Sequence, residues 1–338
     1  ASAGTVDRLG WWTGISAADV DGDGDMDYAV GNLGLNTKYH ASKEKPYILY
    51  FGDLDGSGIP RIVEACHEGG ILFPVRGKSC STRAMPSLAK KFSNFHAFAS
   101  ATLPQIYAPN LLQTAQRLAI NELSSGVLLN NGKGRFSFRS LPRMAQVSAC
   151  FGLVFCDWDA DGHMDLAMAH NFYSPQPETG NLDGGLGVVL RGSGNGNFQA
   201  MRADQSGFIL PGDAKALALT DLNGDTRPDL VATVNSSNPK VFINKISSGH
   251  GLVIRLNGPK GNLRGVGSRV SLHLKSGRVL LGEVHSGSSY LTGSSADIFF
   301  SIPEGDEAIS LTVRSPFGKT TRHSIKNRSG TIVIKLAN

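Results

Sequence analysis

Ile15-Ser-Ala-Ala-Asp19-Val-Asp21-Gly-Asp23-Gly24-Asp25-Met-Asp27-Tyr28-Ala-Val places an acidic nine-residue loop between two short apolar runs. The plan is written four times. It returns as Asp157-Trp-Asp159-Ala-Asp161-Gly162-His163-Met-Asp165 between Leu153-Val-Phe-Cys and Leu166-Ala-Met. A further copy, Asp221-Leu-Asn223-Gly-Asp225-Thr226-Arg227-Pro-Asp229, lies between Leu217-Ala-Leu and Leu230-Val-Ala. A copy poorer in acids, Asp53-Leu-Asp55-Gly-Ser57-Gly58-Ile59-Pro-Arg61, falls second in chain order. Carboxylates packed this closely repel one another, so a fold that gathers them requires a cation or bulk water. Calcium takes six to eight oxygens and favours carboxylates and carbonyls.

Within each loop, positions 1, 3 and 5 supply side-chain oxygens, position 7 a backbone carbonyl and position 9 a closing carboxylate. Gly at position 6 permits the sharp turn. The candidate ligands are therefore Asp19, Asp21, Asp23, Asp25 and Asp27 in the first loop. In the third they are Asp157, Asp159, Asp161, His163 and Asp165, with His163 acting through its carbonyl. In the fourth they are Asp221, Asn223, Asp225, Arg227 and Asp229. The expectation is Ca2+ at two sites, with a weaker third in the fourth loop, where Asn223 replaces an acid and Thr226 replaces Gly. The second loop carries Arg61 at position 9, where a cation competes with the metal, and is expected to be a plain hairpin turn. Asp/Gly-rich turns without metal are the alternative throughout. An EF-hand does not fit, because that loop has twelve residues, ends in Glu and joins helices.

A second repeated element sets the period. Val127-Leu-Leu-Asn-Asn-Gly132-Lys-Gly134-Arg-Phe136 recurs as Val188-Val-Leu-Arg-Gly192-Ser-Gly194-Asn-Gly196-Asn-Phe198; Phe136 and Phe198 are 62 residues apart, and Asp157 and Asp221 are 64 apart. Such a unit holds about four short strands, the content of one propeller blade. With 41 glycines and only 18% charged residues in 338, the chain reads as all-β: a β-propeller of about four recognisable blade units over residues 1–248, followed by a small C-terminal β-sandwich or barrel over 249–338. The tail strands are expected at Val253–Leu256, Val270–Leu274, Val279–Leu281, Ile309–Val313 and Thr331–Leu336. Residues 79–125 break the pattern as a helical insertion. Leu111, Leu112, Ala115, Leu118 and Ala119 follow helical spacing behind Pro109, and Leu88–Phe92 is a second short helix.

The acidic loops resemble the FG-GAP/VCBS repeats of integrin alpha-subunit propellers and their bacterial relatives. The tail resembles the ASPIC/UnbV domain through Asn262-Leu-Arg264-Gly-Val-Gly267-Ser268-Arg269-Val270 and Val284-His-Ser286-Gly287-Ser-Ser-Tyr290-Leu291. It departs at Ser268, where Ala is usual, and at Phe299-Phe300-Ser301-Ile302, which replaces Phe-Gly-Leu-Gly. The resemblance implies an extracytoplasmic location (extracellular, cell-surface or periplasmic), bound calcium, and adhesion or ligand binding without an assigned reaction. It also implies seven blades against the four units here, so the expectation is a partial ring whose N-terminal blades lie outside this sequence, with repeats decayed beyond reading or a partner that completes the ring as the alternatives.

The expected function is a secreted, calcium-stabilised binding or adhesion module, non-catalytic, presenting loops to a protein or glycan partner. Two alternatives stand beside it. One is a lyase or hydrolase acting on an anionic polysaccharide, yet neither His-Glu-x-x-His nor Gly-x-Ser-x-Gly occurs. The scattered acid–base candidates His67, Glu68, His96, His170 and Glu178 share no spacing. The other is a polyanion or nucleic-acid binder, because residues 251–338 hold 12 Lys/Arg against 5 Asp/Glu while residues 1–250 hold 21 against 23. Arg255, Lys260, Arg264, Arg269, Lys275 and Arg278 cluster there, but Tyr290 is the only Tyr or Trp of that tail able to stack on a base, which disfavours nucleic acid.

No run approaches the roughly 18 apolar residues of a membrane span, and Ala1–Gly10 lacks the basic and apolar regions of a signal peptide. Trp11-Trp12 reads as core, with a ligand platform as the alternative. Cys150 and Cys156, on one strand, stand about 20 Å apart at ~3.3 Å per residue, which is too far to bridge. Cys66 and Cys80 form a candidate disulfide.

Overall fold

The structure is a computed structural model and describes residues 3–177, 179–325 and 329–336; Glu178, an acid–base candidate, lies outside the described residues. Among the described residues the regular structure is chiefly strand, arranged in six small sheets without a closed barrel. It divides into two compact units, one of Ala1–Thr5, Trp12–Thr37 and Ser124–Asn338, the other of Val6–Trp11 and Lys38–Leu123.

The first sheet of the larger unit joins Gly14–Ala18, Asp27–Gly31, Gly126–Asn130 and Phe136–Ser140 in that order. Its third strand pairs with its second (Tyr28 with Leu128) across about a hundred residues. The second sheet is a local antiparallel meander of Cys150–Cys156, Asp165–His170, Val188–Gly192 and Phe198–Ala200. The third has three strands, Ala214–Thr220, Asp229–Val234 and Lys240–Phe242.

The three sheets pack face to face, and the period of two along Asp165–His170 shows how. All six of its residues are buried. Leu166 and Met168 point into a core shared with Ala18, Ala29, Val127 and Leu129 of the first sheet. Ala167 and Ala169 point the other way, against Ala214, Leu217, Leu230 and Ala232 of the third. Alternate residues of a strand face opposite sides, so one strand serves two interfaces, with large side chains on one and small ones on the other.

The C-terminal strands form a sandwich. Ile298–Ile302, His250–Asn257 and Gly330–Lys335 make one sheet, in which the last strand runs parallel to its partner. Val279–Glu283, Arg269–Leu274, Ala308–Arg314 and Thr320–Ser324 make the other. Leu252, Ile254, Val270, Leu272, Phe300 and Leu311 meet between them in one core. The strands expected in the tail are all present.

The smaller unit builds its own sheet from Ile71–Pro74, Arg61–Glu68, Tyr47–Gly52 and Gln116–Ile120. Short helices at Lys78–Ala84, Ser87–Lys91, Phe95–Ala99, Leu103–Ile106 and Pro109–Thr114 bury Met85, Leu88, Phe98, Leu103 and Tyr107 against Ile48, Tyr50, Val63 and Ala65. Helices of four to seven residues are held by such packing, not by propensity.

Three expectations are corrected. The helical stretch begins near residue 79, at Lys78, but it belongs to a longer insertion: the whole of Lys38–Leu123 is interposed between the second and third strands of the first sheet. The helix starting at Pro109 stops at Thr114, and Leu118 and Ala119 belong to a strand, pairing with Leu49 and Ile48. All four cysteines are thiols, so Cys66 and Cys80 are not bridged, while Cys150 and Cys156 end the same strand.

The two faces of Asp165–His170 should be sensitive to opposite changes of side-chain size, one to truncation and the other to enlargement. Leu166→Ala leaves a cavity and should cost about 2–5 kcal/mol. Ala167→Leu forces bulk between two backbones and should cost about 1–3 kcal/mol or more. Urea unfolding of both variants, read against the parent, checks the pair; a tolerated Ala167→Leu contradicts the tight interface.

Candidate metal centre

Each nine-residue loop connects the first two strands of a sheet, and all four share one backbone. Positions 4 and 6 are left-handed in every copy: Gly22 and Gly24 (φ +76° and +89°), Gly56 and Gly58, Ala160 and Gly162, Gly224 and Thr226 (φ +66°). The need for Gly at position 4 escaped the sequence reading, although three of the four copies show it. The amide at position 6 donates to the position 1 carboxylate throughout, Gly24 to Asp19 (3.0 Å), Gly58 to Asp53 (2.8 Å), Gly162 to Asp157 (2.9 Å) and Thr226 to Asp221 (2.9 Å). The amide at position 7 donates to the position 5 side chain, as in Asp25 to Asp23, His163 to Asp161 and Arg227 to Asp225.

Position 9 behaves differently from a simple ligand. Asp27 accepts from Val20 N (2.9 Å) and Asn130 N (2.7 Å). Asp165 accepts from Trp158 N (3.2 Å) and Gly192 N (2.9 Å), and Asp229 from Leu222 N and Asn244 N (2.8 Å each). One oxygen holds the loop and the other holds the start of the turn beyond the third strand or that strand's end. All three carboxylates are buried.

In the first loop the oxygens of Asp19, Asp21 and Asp27 converge within 4.8 Å of one another; in the third, those of Asp157, Asp159 and Asp161 do. Asp23 and Asp25 lie outside the first trio, and Asp165 outside the second. Burial pushes Asp27 up to about 6, helped by repulsion from Asp21 and Asp19. Burial likewise raises Asp19 and Asp21, and it raises both Asp157 and Asp165, whose charges repel. One oxygen each of Asp21 and Asp157 is buried with no hydrogen-bond partner among the described residues. Asp157 itself is 4% exposed. A buried carboxylate oxygen with no donor is costly, and a hard cation bound by oxygens supplies what is missing. The donor sets of these two loops therefore fit calcium.

The other loops differ. In the fourth, the Asn223 amide donates to Asp225 (2.9 Å), and no three acids converge among the described residues. Thr226, β-branched and left-handed, is tied to Gly251 O (3.2 Å) by its hydroxyl. In the second, Ser57 and Ser87 hydroxyls occupy both oxygens of Asp55 (2.6 and 3.1 Å), and the Ser57 bond leads in holding that carboxyl below its usual range.

Two arginines approach the third loop: Arg191, which the sequence reading leaves aside, and Arg278, which it places among the tail's clustered bases. Arg191 places its guanidinium 2.7 Å from Asp159 and 3.0 Å from Asp161. Strand register aligns it with Leu129 in the first sheet and Ile243 in the third, so this cation belongs to one loop only. Arg278, from the sandwich, donates to Asp161 O (2.9 Å), and a Cβ on Gly162 would lie 1.7 Å from its Nη1. Ser301, Ser248 and Asn244 donate to the carbonyls of Asp157, Asp159 and Trp158.

The remaining candidates are scattered. His170 is fully buried, and burial pushes its imidazole down to about 4. His67 contacts Pro46 O (3.0 Å) on a strand, and His96 sits on the exposed side of a short helix. Trp11 packs edge-on against Tyr39, and Trp12, 41% exposed, lies beside Phe138. In the basic tail, Arg255 pairs with Asp297, Arg269 with Glu283 and Lys275 with Glu307.

Gly22 and Gly24 have open space where a Cβ would stand. Gly22→Ala and Gly24→Ala should therefore each cost about 1–2 kcal/mol through backbone conformation alone. Thermal unfolding in chelator measures this; unchanged stability rules out the left-handed turns.

Comparison with known families agrees with the third loop and the tail. Residues 118–168 match an FG-GAP-like repeat, and residues 258–335 match the ASPIC and UnbV domain. No curated protein matches the chain significantly. Among solved structures, the V. cholerae biofilm matrix protein Bap1 is 12% identical with a TM-score of 0.20, over 95% of this chain and 60% of that one. The tetra-tandem repeat from the extending region of a large adhesion protein is 10% identical with a TM-score of 0.12, over 92% and 72%. Neither likeness extends to the fold. The chain spans 60% of Bap1's length.

Proposed function

We propose that the chain is a non-catalytic binding or adhesion module that works outside the cytoplasm, with its FG-GAP-type sheets serving as propeller blades pinned by calcium. The observation behind this reading is the pair of acidic trios, each with a buried carboxylate oxygen that lacks a donor. Asp19, Asp21 and Asp27 would hold one ion, and Asp157, Asp159 and Asp161 the other. Bound calcium would supply charge to otherwise repelling carboxylates and so hold each strand pair rigid. Calcium-dependent stability suits compartments rich in that ion. The rigid sheets would then present their connecting loops to a protein or glycan partner.

A polyanion role for the tail has less support, because four of its six clustered bases are spent inside the molecule, on Asp297, Glu283, Glu307 and the Asp161 carbonyl. No helix among the described residues is long and apolar enough to cross a membrane.

Titration calorimetry with calcium should find two sites per chain, and calcium should raise the melting temperature relative to excess chelator, since a ligand selective for the native state stabilises it. Asp21→Asn and Asp157→Asn should each remove one site. No binding at millimolar calcium overturns the proposal. The rise should also depend on pH. In the metal-free protein the folded-state value for Asp27, about 6, lies above the ordinary carboxylate range. That proton therefore stabilises the metal-free fold at low pH, and its contribution is lost as pH rises through about 6. Calcium has to displace it, and at the second trio a proton on Asp157, which burial raises to about 8. The calcium-induced rise should therefore shrink as pH falls, first below about 8 through the second site and then below about 6 through the first.

Arg191 competes for the second trio. Arg191→Leu should tighten calcium at that site by roughly three- to tenfold, on the scale of a partly exposed ion pair, and leave the first site unchanged. Weakened binding at the second site would show that Arg191 supports the loop instead of competing with the ion.

A further inference from the structure

Gly14–Ala18, Cys150–Cys156 and Ala214–Thr220 are edge strands of the first, second and third sheets. An edge strand carries backbone groups without a sheet partner, which natural proteins cover or blunt. Here all three edges meet one segment of the C-terminal sandwich, the 286–295 loop. Ser289 N donates to Ile15 O of the first edge (3.0 Å). The Ser289 hydroxyl accepts from Leu153 N (2.7 Å) and donates to Phe151 O (2.9 Å) of the second. Ser294 Oγ accepts from Leu219 N (3.1 Å), and Ser295 N donates to Leu219 O (2.9 Å), both on the third. Tyr290 adds an edge-on ring contact with Phe151, centroids 5.0 Å apart.

The loop is shaped for this seat. Ser288 N bonds Thr292 O (2.8 Å), and the hydroxyls of Ser288 and Ser294 lie 3.0 Å apart, which closes it on itself. Ser289 and Leu291 are left-handed at φ +64° and +46°. A non-glycine residue in that region costs energy and persists where its surroundings over-determine it. The strain coincides with the residue that touches two of the three edges. Small hydroxyl side chains are what the position requires: each one donates and accepts, so it serves strand amides and carbonyls without the length of a paired strand.

We infer that the 286–295 loop is an intramolecular edge cap. Its partner is the composite surface made by the edges of three sheets of the same chain, and it fastens the sandwich to those sheets so that the two unfold as one. The Ser-Gly-Ser-Ser-Tyr run thereby acquires a role as a clamp, independent of any metal.

Native-state hydrogen exchange of the full chain, followed by NMR in chelator across a denaturant series, tests this. In the wild type the amides of Leu219 and Leu272, one in a capped sheet and one in the sandwich core, should open in the same global event. Ser289→Ala should speed exchange at Leu153, and Ser294→Ala at Leu219, by about tenfold or more, with Leu272 still protected. Ser294→Thr keeps the hydroxyl and should restore Leu219. Separate opening of Leu219 and Leu272 in the wild type overturns the inference, whatever the variants do. So does unchanged exchange at both Leu153 and Leu219 in the alanine variants.

Discussion

The buried aspartate at position 9 is the interaction on which the sheets depend. Asp27, Asp165 and Asp229 each use both carboxylate oxygens on backbone amides, one from the second residue of their own loop and one at the far end of the third strand. A single side chain thus ties three successive elements. Burying the charge is unfavourable unless donors surround it, and the cost rises where acids crowd, as the raised values of Asp27 and Asp165 record. In the first sheet the tie reaches from Asp27 to Asn130, on either side of the inserted unit. The strand that closes this sheet is therefore held by an atom pair, as well as by a register, that bridges the insertion.

This explains which parts were legible in the sequence. The loops, their flanking strands and the Gly-rich hairpins at Gly132 and Gly194 are local patterns, and they read correctly. So were the tail strands, each bounded by turn residues. The nesting of Lys38–Leu123 inside the first sheet is a pairing over about a hundred residues. Four similar loops in chain order gave no sign that the second belongs to an inserted unit. Leu118 and Ala119 carry helical spacing, yet the open edge of Tyr47–Gly52 takes them as a strand, because backbone pairing and the shared core outweigh a few residues of periodicity.

The site was legible in residue type and not in role. Sequence spacing marks the acids, and the geometry separates them into two jobs. Asp19 and Asp21 bring oxygens together in the first loop, and Asp157, Asp159 and Asp161 in the third, with Asp27 contributing to both jobs. Asp23, Asp161 and Asp225 also brace the turn through the amide two residues on. Arg191 was invisible as a participant because its strand begins some twenty residues beyond the loop, and only sheet pairing brings it over Asp159.

The four loops also show that one backbone supports different ways of answering crowded acids. In the second, serine hydroxyls occupy Asp55, and in the fourth the Asn223 amide takes one oxygen of Asp225. Those loops answer their negative charge with neutral donors. The first leaves Asp21 with an orphaned oxygen and no cationic side chain in reach among the ion pairs of the described residues. The third stands between, with Arg191 at Asp159 and Asp161 but nothing at the buried oxygen of Asp157. A guanidinium on the rim neutralises exposed charge without desolvating itself, and so cannot serve an oxygen buried beneath it. What separates these loops is therefore where the unpartnered oxygen lies, not how many acids each contains.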